Sequence, residues 1–140
     1  MQTRVIELTG DINFGMAEYV RDRIDAFVPL DGTRVLCLGA AFKAGVSDIR
    51  NSRAVTVMEL LHRAGAWVDF ADPLVSTAAV DHETWDAVDL ATTDLGSYDL
   101  IVVLVRNPAW PRADLLAAGV PVFDAVNALD GTRGPGYERL

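Results

Sequence analysis

The chain has 140 residues, a length that suits one domain with one sizeable core. Its formal net charge of −8, with acidic residues spread along its length, excludes nucleic acid or an anionic membrane surface as a partner of the whole protein. One cysteine excludes an internal disulfide, and half the residues are apolar in a mixed, globular composition.

Residues 1–30 carry charges every few positions and read as neither a signal peptide nor a membrane span, so a cytoplasmic protein is expected. From about Thr3 to Phe27, apolar residues recur at spacings of three and four: Val5, Leu8, Ile12, Met16, Tyr19, Val20 and Ile24. That period predicts a long amphipathic helix, which Pro29 and Asp31-Gly32 end. Its stripe needs a surface to cover, either this domain or a second copy of the chain; a homodimer is the expectation.

Arg34 to Leu38 is a nearly continuous apolar run that stops at Gly39, as in a strand buried on both faces. A long loop follows, to about Asn51. Ser52 is a candidate N-cap for a helix with Ala54, Val57, Met58, Leu61 and Ala64 on one stripe and Gly65 as its C-cap. Trp67 to Ala71 reads as a second strand, stopped by Asp72-Pro73. Leu74 to Asp86 is ambiguous, with room for a short helix, and Val88 to Ala91 suits a short strand. Leu100 to Val105 is the strongest strand signal in the chain. Pro108 to Ala118 suits a helix, and Val120 to Phe123 a last strand. Residues 131–140 have the composition of a flexible tail. Strands alternating with helices predict an α/β domain with a mostly parallel sheet.

In such a sheet, ligands bind beyond the carboxyl ends of the strands. Four segments qualify: the loop after Gly39, Asp72-Pro73, the loop after Val105, and Asp124 to Asn127. The first places Lys43 and Arg50 beside a helix N-terminus, where backbone N–H groups and two cations favour an anion. The alternative is two solvated loop cations, one of them paired with Asp48. The loop holds neither a G-x-G-x-x-G turn nor a G-x-x-x-x-G-K-[ST] phosphate loop. Asp72 stands where a ribose could be read, though its simpler role is to start the turn with Pro73. His62 and His82 have no evident third ligand, so no metal site is expected. Trp85 and Trp110 could stack on a base or pack in the core.

Phe42-Lys43 followed by Asp48-Ile49-Arg50-Asn51-Ser52 resembles the A-F-K-x-x-x-x-D-x-R-x-S pattern of the UDP-glucose/GDP-mannose dehydrogenase family. Similarity continues through Glu59-Leu60-Leu61, Gly65-Ala66 and Val68 to Asp72-Pro73. Upstream, Ile12-Asn13 to Tyr19-Val20 resembles the family's I-N-x-x-M-P-x-Y-V, at the end of its central domain. The resemblance implies a three-layer Rossmann-like domain over residues 31–130, preceded by the end of a central dimerisation domain at 1–30. It implies a complete enzyme that oxidises C6 of a nucleotide sugar to a carboxylate, passing two hydrides to NAD, with a cysteine thiolate holding the intermediate. The domain seen here would cover the UDP-sugar. By the same carry-over, Lys43 would contact the sugar end, Arg50 would sit near the phosphates and Asp48 would orient the loop, with Phe42 and Asn127 as further contacts.

The sequence also departs from the family. Val105-Arg106-Asn107-Pro108 stands where T-[DE]-[HW] is usual, and Arg53 stands at a usual proline. Asp124-Ala125-Val126-Asn127 stands for D-x-R-N, so Val126 replaces an arginine that helps bind the sugar nucleotide. Arg106 is a possible substitute cation. The family's NAD domain and its glycine-rich cysteine segment have no counterpart. Cys37, inside a strand, reads as a core residue, so no cofactor and no catalytic residue is expected of this chain alone. Three readings stay open: part of a dehydrogenase or a subunit working with a separate dehydrogenase chain; a free-standing interaction or regulatory module; or an unrelated nucleotide binder.

Overall fold

The computed structural model describes residues 9–40, 53–129 and 136–139, with side chains of the first helix from residue 15 onward. The leading helix, α1, spans Thr9–Phe27. The part of the expected helix before Thr9 lies outside the described residues. Of the expected stripe, Val20 and Ile24 are buried and Met16 is half-buried, while Tyr19 is 49% exposed and Ala17 takes a buried place instead. Removing Ile24 from water is worth about 2 kcal/mol. These contacts are made inside the chain, against α2 (Arg53–Arg63), and Phe27 meets Phe123 at 6.2 Å between ring centres. Pro29 ends α1, having no N–H to continue it, and the amide of Leu30 donates to Asp25 Oδ1 at 2.9 Å.

β1 (Arg34–Leu38) and β2 (Trp67–Ala71) pair in parallel through α2, from Arg34 opposite Trp67 to Leu38 opposite Ala71. The stop of α2 is the one expected at Gly65. Gly65 has φ +101°, its amide reaches His62 O, and Ala66 N reaches back to Leu61 O at 3.2 Å. That pair of bonds satisfies the last carbonyls of the helix.

After β2 the sequence reading needs correction. Leu74–Asp86 holds no helix. It folds into an antiparallel hairpin, β3 (Thr77–Val80) and β4 (Glu83–Asp86). Asp81 and His82 turn it, both at positive φ (51° and 67°), the geometry of a two-residue hairpin loop. Ala78 and Val80 are buried against α2, and Asp81 is tied to that helix by Arg63 at 2.5 Å. Val88–Ala91 is no strand either; Val88 N donates once to Phe70 O, at 2.8 Å, and the ladder goes no further.

β5 (Leu100–Val103) is fully buried. The helix expected over Pro108–Ala118 is shortened to α3 (Arg112–Ala117). Two prolines, Pro108 and Pro111, cannot donate to a helix, and Asn107 Oδ1 instead accepts the amide of Ala109 at 2.9 Å in a turn. β6 is Val122–Asp124, and it is not the last strand. Tyr137–Arg139, within the stretch that reads as a tail, forms β7, parallel to β6 with Asp124 opposite Arg139.

The main sheet has the order β2-β1-β5-β6-β7 and is parallel throughout. One face packs α1, α2 and the hairpin around Val35, Cys37, Phe70, Leu100 and Val102. The other carries Leu36, Leu38, Ile101 and Val103 under Tyr98, Trp110 and Leu115 of the α3 side. The result is three layers, as expected for an α/β domain of this type.

Candidate functional site

Chain order reverses between β1 and β5. β1 continues outward to β2, and β5 continues the other way to β6. This switch point, at the carboxyl ends of the strands, is where an open parallel sheet leaves a crevice. Gly39 closes β1 there with φ +106°, and a Cβ on it would lie 2.5 Å from Val105 Cβ. Only glycine lets the two strand ends approach in this way.

Three of the four expected segments, Asp72-Pro73, the loop after Val105 and Asp124 to Asn127, lie along this one edge. Phe42, Lys43, Asp48 and Arg50 are outside the described residues, on the stretch 41–52 that joins Ala40 to α2. Ala40, the last described residue before that stretch, is held by Asp72. Its Oδ2 accepts the amide of Ala40 and its Oδ1 the amide of Leu74, each at 2.9 Å. Asp72 therefore does more than start its own turn: it ties the end of β2 to the exit from β1.

At the ends of β5 and β6, Arg106 and Asn127 meet. Arg106 Nη1 donates to Val126 O at 3.2 Å and to Asn127 O. Asn127 adopts a left-handed conformation (φ 54°), which asparagine tolerates better than most residues. The loop is built on Asp124, fully buried at the end of β6. Its carboxylate accepts the amides of Val126 (3.3 Å), Ala128 (2.9 Å) and Leu129 (2.9 Å), and the hydroxyl of Tyr137 at 2.7 Å. A buried carboxylate needs such a complete set of donors. Burial, and then the bond to Asp124, push the Tyr137 phenol above its ordinary range, against the opposing charges of Arg139 and Arg112.

Arg139 and Tyr137 are site elements that the sequence reading misses. Arg139 Nη1 donates to Asn127 Oδ1 at 3.1 Å. No periodicity could announce them, because β7 is three residues long and polar. A cleft of about 500 Å³ also lies on this edge, between Asp72–Ser76, Val88–Leu90 and Trp110. Trp110 is a wall of it and not a free stacking platform: it is buried, and its indole N–H donates to Val105 O at 2.7 Å.

Other titratable groups have structural partners. Cys37 is fully buried within β1, and burial, with Asp69 adding to it, raises its thiol far above the ordinary range. A thiol held neutral is a poor nucleophile. His62 packs edge-on against Trp85, with ring centres 5.3 Å apart. Among the described residues, no group of three or more His, Cys, Asp or Glu could hold a metal ion, and no helix is long and apolar enough to cross a membrane.

Residues 36–131 match the UDP binding domain of the UDP-glucose/GDP-mannose dehydrogenase family. Among curated proteins, a UDP-glucose 6-dehydrogenase of Haloferax volcanii is 34% identical over 99% of the chain, and a UDP-N-acetyl-D-glucosamine 6-dehydrogenase of Pseudomonas aeruginosa is 32% identical over 69% of it. The chain spans 33% of the length of the first and 24% of the second. Among solved structures, an NDP-N-acetyl-D-galactosaminuronic acid dehydrogenase from Methanosarcina mazei superposes with a TM-score of 0.71 at 25% identity, over 93% of this chain and 30% of that one. A UDP-N-acetyl-mannosamine dehydrogenase from Staphylococcus aureus superposes at 0.70 and 22% identity, over 99% of this chain and 33% of its own, a likeness of fold.

Proposed function

Because the chain belongs to the UDP-glucose/GDP-mannose dehydrogenase family, as its UDP-binding domain, we propose that it binds a UDP-sugar in the crevice between the ends of β1 and β5. The observation that carries this reading is the strand order, which opens that crevice beyond the end of β1. Lys43 and Arg50 would supply cations to the sugar end and the phosphates, with Asp48 orienting their loop and Phe42 beside it. Asp72 holds Ala40, just before that loop. Asn127 and Arg106 would face the same ligand from the ends of β6 and β5.

The chain would not act alone. In this reading the complete enzyme oxidises the sugar at C6 with NAD, and the dinucleotide and the reacting thiol belong to parts of it other than this domain. The residues present do not fit a dinucleotide: the sequence has no G-x-G-x-x-G turn. Asp72, where a ribose would be read, gives each carboxylate oxygen to a backbone amide. Cys37 is too deeply buried to meet a substrate.

The proposal also divides the chain into a leading helix at 1–30 from the end of a central domain, the nucleotide-sugar domain at 31–130 and a terminal segment. It includes a homodimer in the cytoplasm and, where the dehydrogenase half is a separate chain, a complex with it. The dimer rests on the resemblance of α1 to a dimerisation segment, since Val20 and Ile24 are covered by the chain itself. Light scattering of the purified protein reads this directly.

Calorimetric titration with UDP and UDP-glucose, beside a Lys43→Ala/Arg50→Ala double variant, tests the binding claim. Saturable binding that the double variant loses is the expected result. Absence of heat at millimolar ligand would sink it. The valine in place of the family arginine at position 126 would then favour the second reading, a non-catalytic interaction or regulatory module.

A further inference from the structure

We propose that Arg139, on β7, is a positioning residue for Asn127, turning the Asn127 amide so that its N–H donors face an acceptor oxygen of the bound nucleotide sugar. The inference rests on the nucleotide-sugar reading above and adds to it a strand whose residues that reading does not assign.

An asparagine amide has two ends of opposite character, and its neighbours decide which end faces out. A guanidinium only donates. Arg139 Nη1 lies 3.1 Å from the amide oxygen of Asn127, so that oxygen is committed to Arg139. The nitrogen, with two donors, is left to face elsewhere. Both residues are exposed, so a ligand can reach them. The group that completes Asn127 is therefore an acceptor: a phosphate, carboxylate or hydroxyl oxygen.

The backbone of Asn127 is fixed independently. Arg106 takes its carbonyl and that of Val126 from the β5 side. Asp124 takes three amides of the same loop. Tyr137, two residues before Arg139, closes the carboxylate of Asp124 with its hydroxyl, so the strand that presents Arg139 is anchored to the loop it orients. Pairing of Asp124 with Arg139 across the ladder brings the guanidinium to the carboxyl edge of the sheet. β7 is held from behind as well: Arg23 of α1 donates to Arg139 O at 3.0 Å and to Glu138 Oε2 at 3.3 Å.

The electrostatics agree. The family pattern has an arginine at the position of Val126. Here two guanidiniums, Arg106 and Arg139, flank the neighbouring residue, in a chain of net charge −8. They raise the potential where an anionic ligand would approach.

The test is calorimetric titration of UDP-glucose into the full chain and into Arg139→Met, Arg139→Lys, Asn127→Ala and the Arg139→Met/Asn127→Ala pair. Arg139→Met should weaken binding by about tenfold, the order of one charge-assisted hydrogen bond. Arg139→Lys, which keeps a donor, should recover part of it. The double variant should bind no more weakly than Asn127→Ala, because Arg139 acts through that amide. Unchanged affinity in Arg139→Met, or losses that add in the double variant, would overturn the proposal. Failure of the native chain to bind at all would instead overturn the nucleotide-sugar reading, and this inference with it as a ligand contact. The side-chain amide signals of Asn127 in a nitrogen–proton correlation spectrum separate the two failures. They should shift in Arg139→Met if the clamp exists, and stay in place if it does not.

Discussion

Gly39 and Val105 stand so close at the ends of β1 and β5 that a Cβ on Gly39 would fall 2.5 Å from Val105 Cβ and 2.7 Å from its Cγ2. Val105 cannot retreat, because its amide and that of Leu104 both donate to Leu38 O. Gly39→Ala therefore meets a steric clash and a backbone at φ +106° together. The expected loss is about 2 kcal/mol or more, read as a lower urea midpoint with unchanged slope. Adding Val105→Ala should restore little of the loss, since it removes Cγ2 but keeps the nearer Cβ and the strained φ. Equal stability of Gly39→Ala and the native chain would show that the strand ends are not in contact.

Asp124 offers a second prediction. Its carboxylate satisfies three amides and the Tyr137 hydroxyl in a fully buried place. Asp124→Ala leaves all four donors without it and should cost about 3 kcal/mol or more. Tyr137→Phe removes one bond and should cost about 1 kcal/mol. Chemical denaturation of the two variants checks the ratio; similar small losses in both would mean that water replaces the carboxylate readily.

What the sequence reveals here follows from how much of each element is decided locally. Arg34–Leu38 and Leu100–Val103 are legible because strands covered on both faces leave almost no polar residue. Gly65 is legible because a left-handed helix stop selects glycine. The hairpin is not, since Asp81 and His82 take positive φ without glycine or asparagine to announce it. β7 is not, since Tyr137–Arg139 becomes a strand only by pairing with β6. The candidate site divides in the same way. Its first loop is read from one run of residues. The contact of Arg139 with Asn127, twelve positions apart, depends on the register of two strands.

Cys37 should behave as a core residue. Burial holds its thiol neutral, so a thiol reagent such as a disulfide chromophore should leave it untouched in native buffer and label it fully once the chain unfolds. The labelling rate should rise with denaturant in parallel with unfolding. Fast labelling of the native protein would contradict the placement of Cys37 in β1. Cys37→Ala should cost about 1 kcal/mol and leave UDP-glucose affinity unchanged.

The last prediction concerns alkaline pH. Tyr98 and Tyr137 are both raised above the ordinary tyrosine value of about 10. Burial is the first cause in each. The second is a hydrogen bond at 2.7 Å, from Tyr98 to Asp69 and from Tyr137 to Asp124. A group raised in the folded state keeps its proton there while the unfolded chain has lost it. Unfolding then releases protons, and stability falls as pH rises. The contribution is whole below the ordinary value and declines through the interval up to the raised one. Denaturation midpoints measured from neutral pH upward should therefore hold level to about pH 9, where the buried Cys37 thiol begins to contribute, and fall more steeply above about pH 10. In a Tyr98→Phe/Tyr137→Phe variant the neutral baseline should be lower and the alkaline fall shallower, with the raised thiol of Cys37 contributing to what remains. Identical alkaline slopes in the two proteins would mean that folding raises neither phenol.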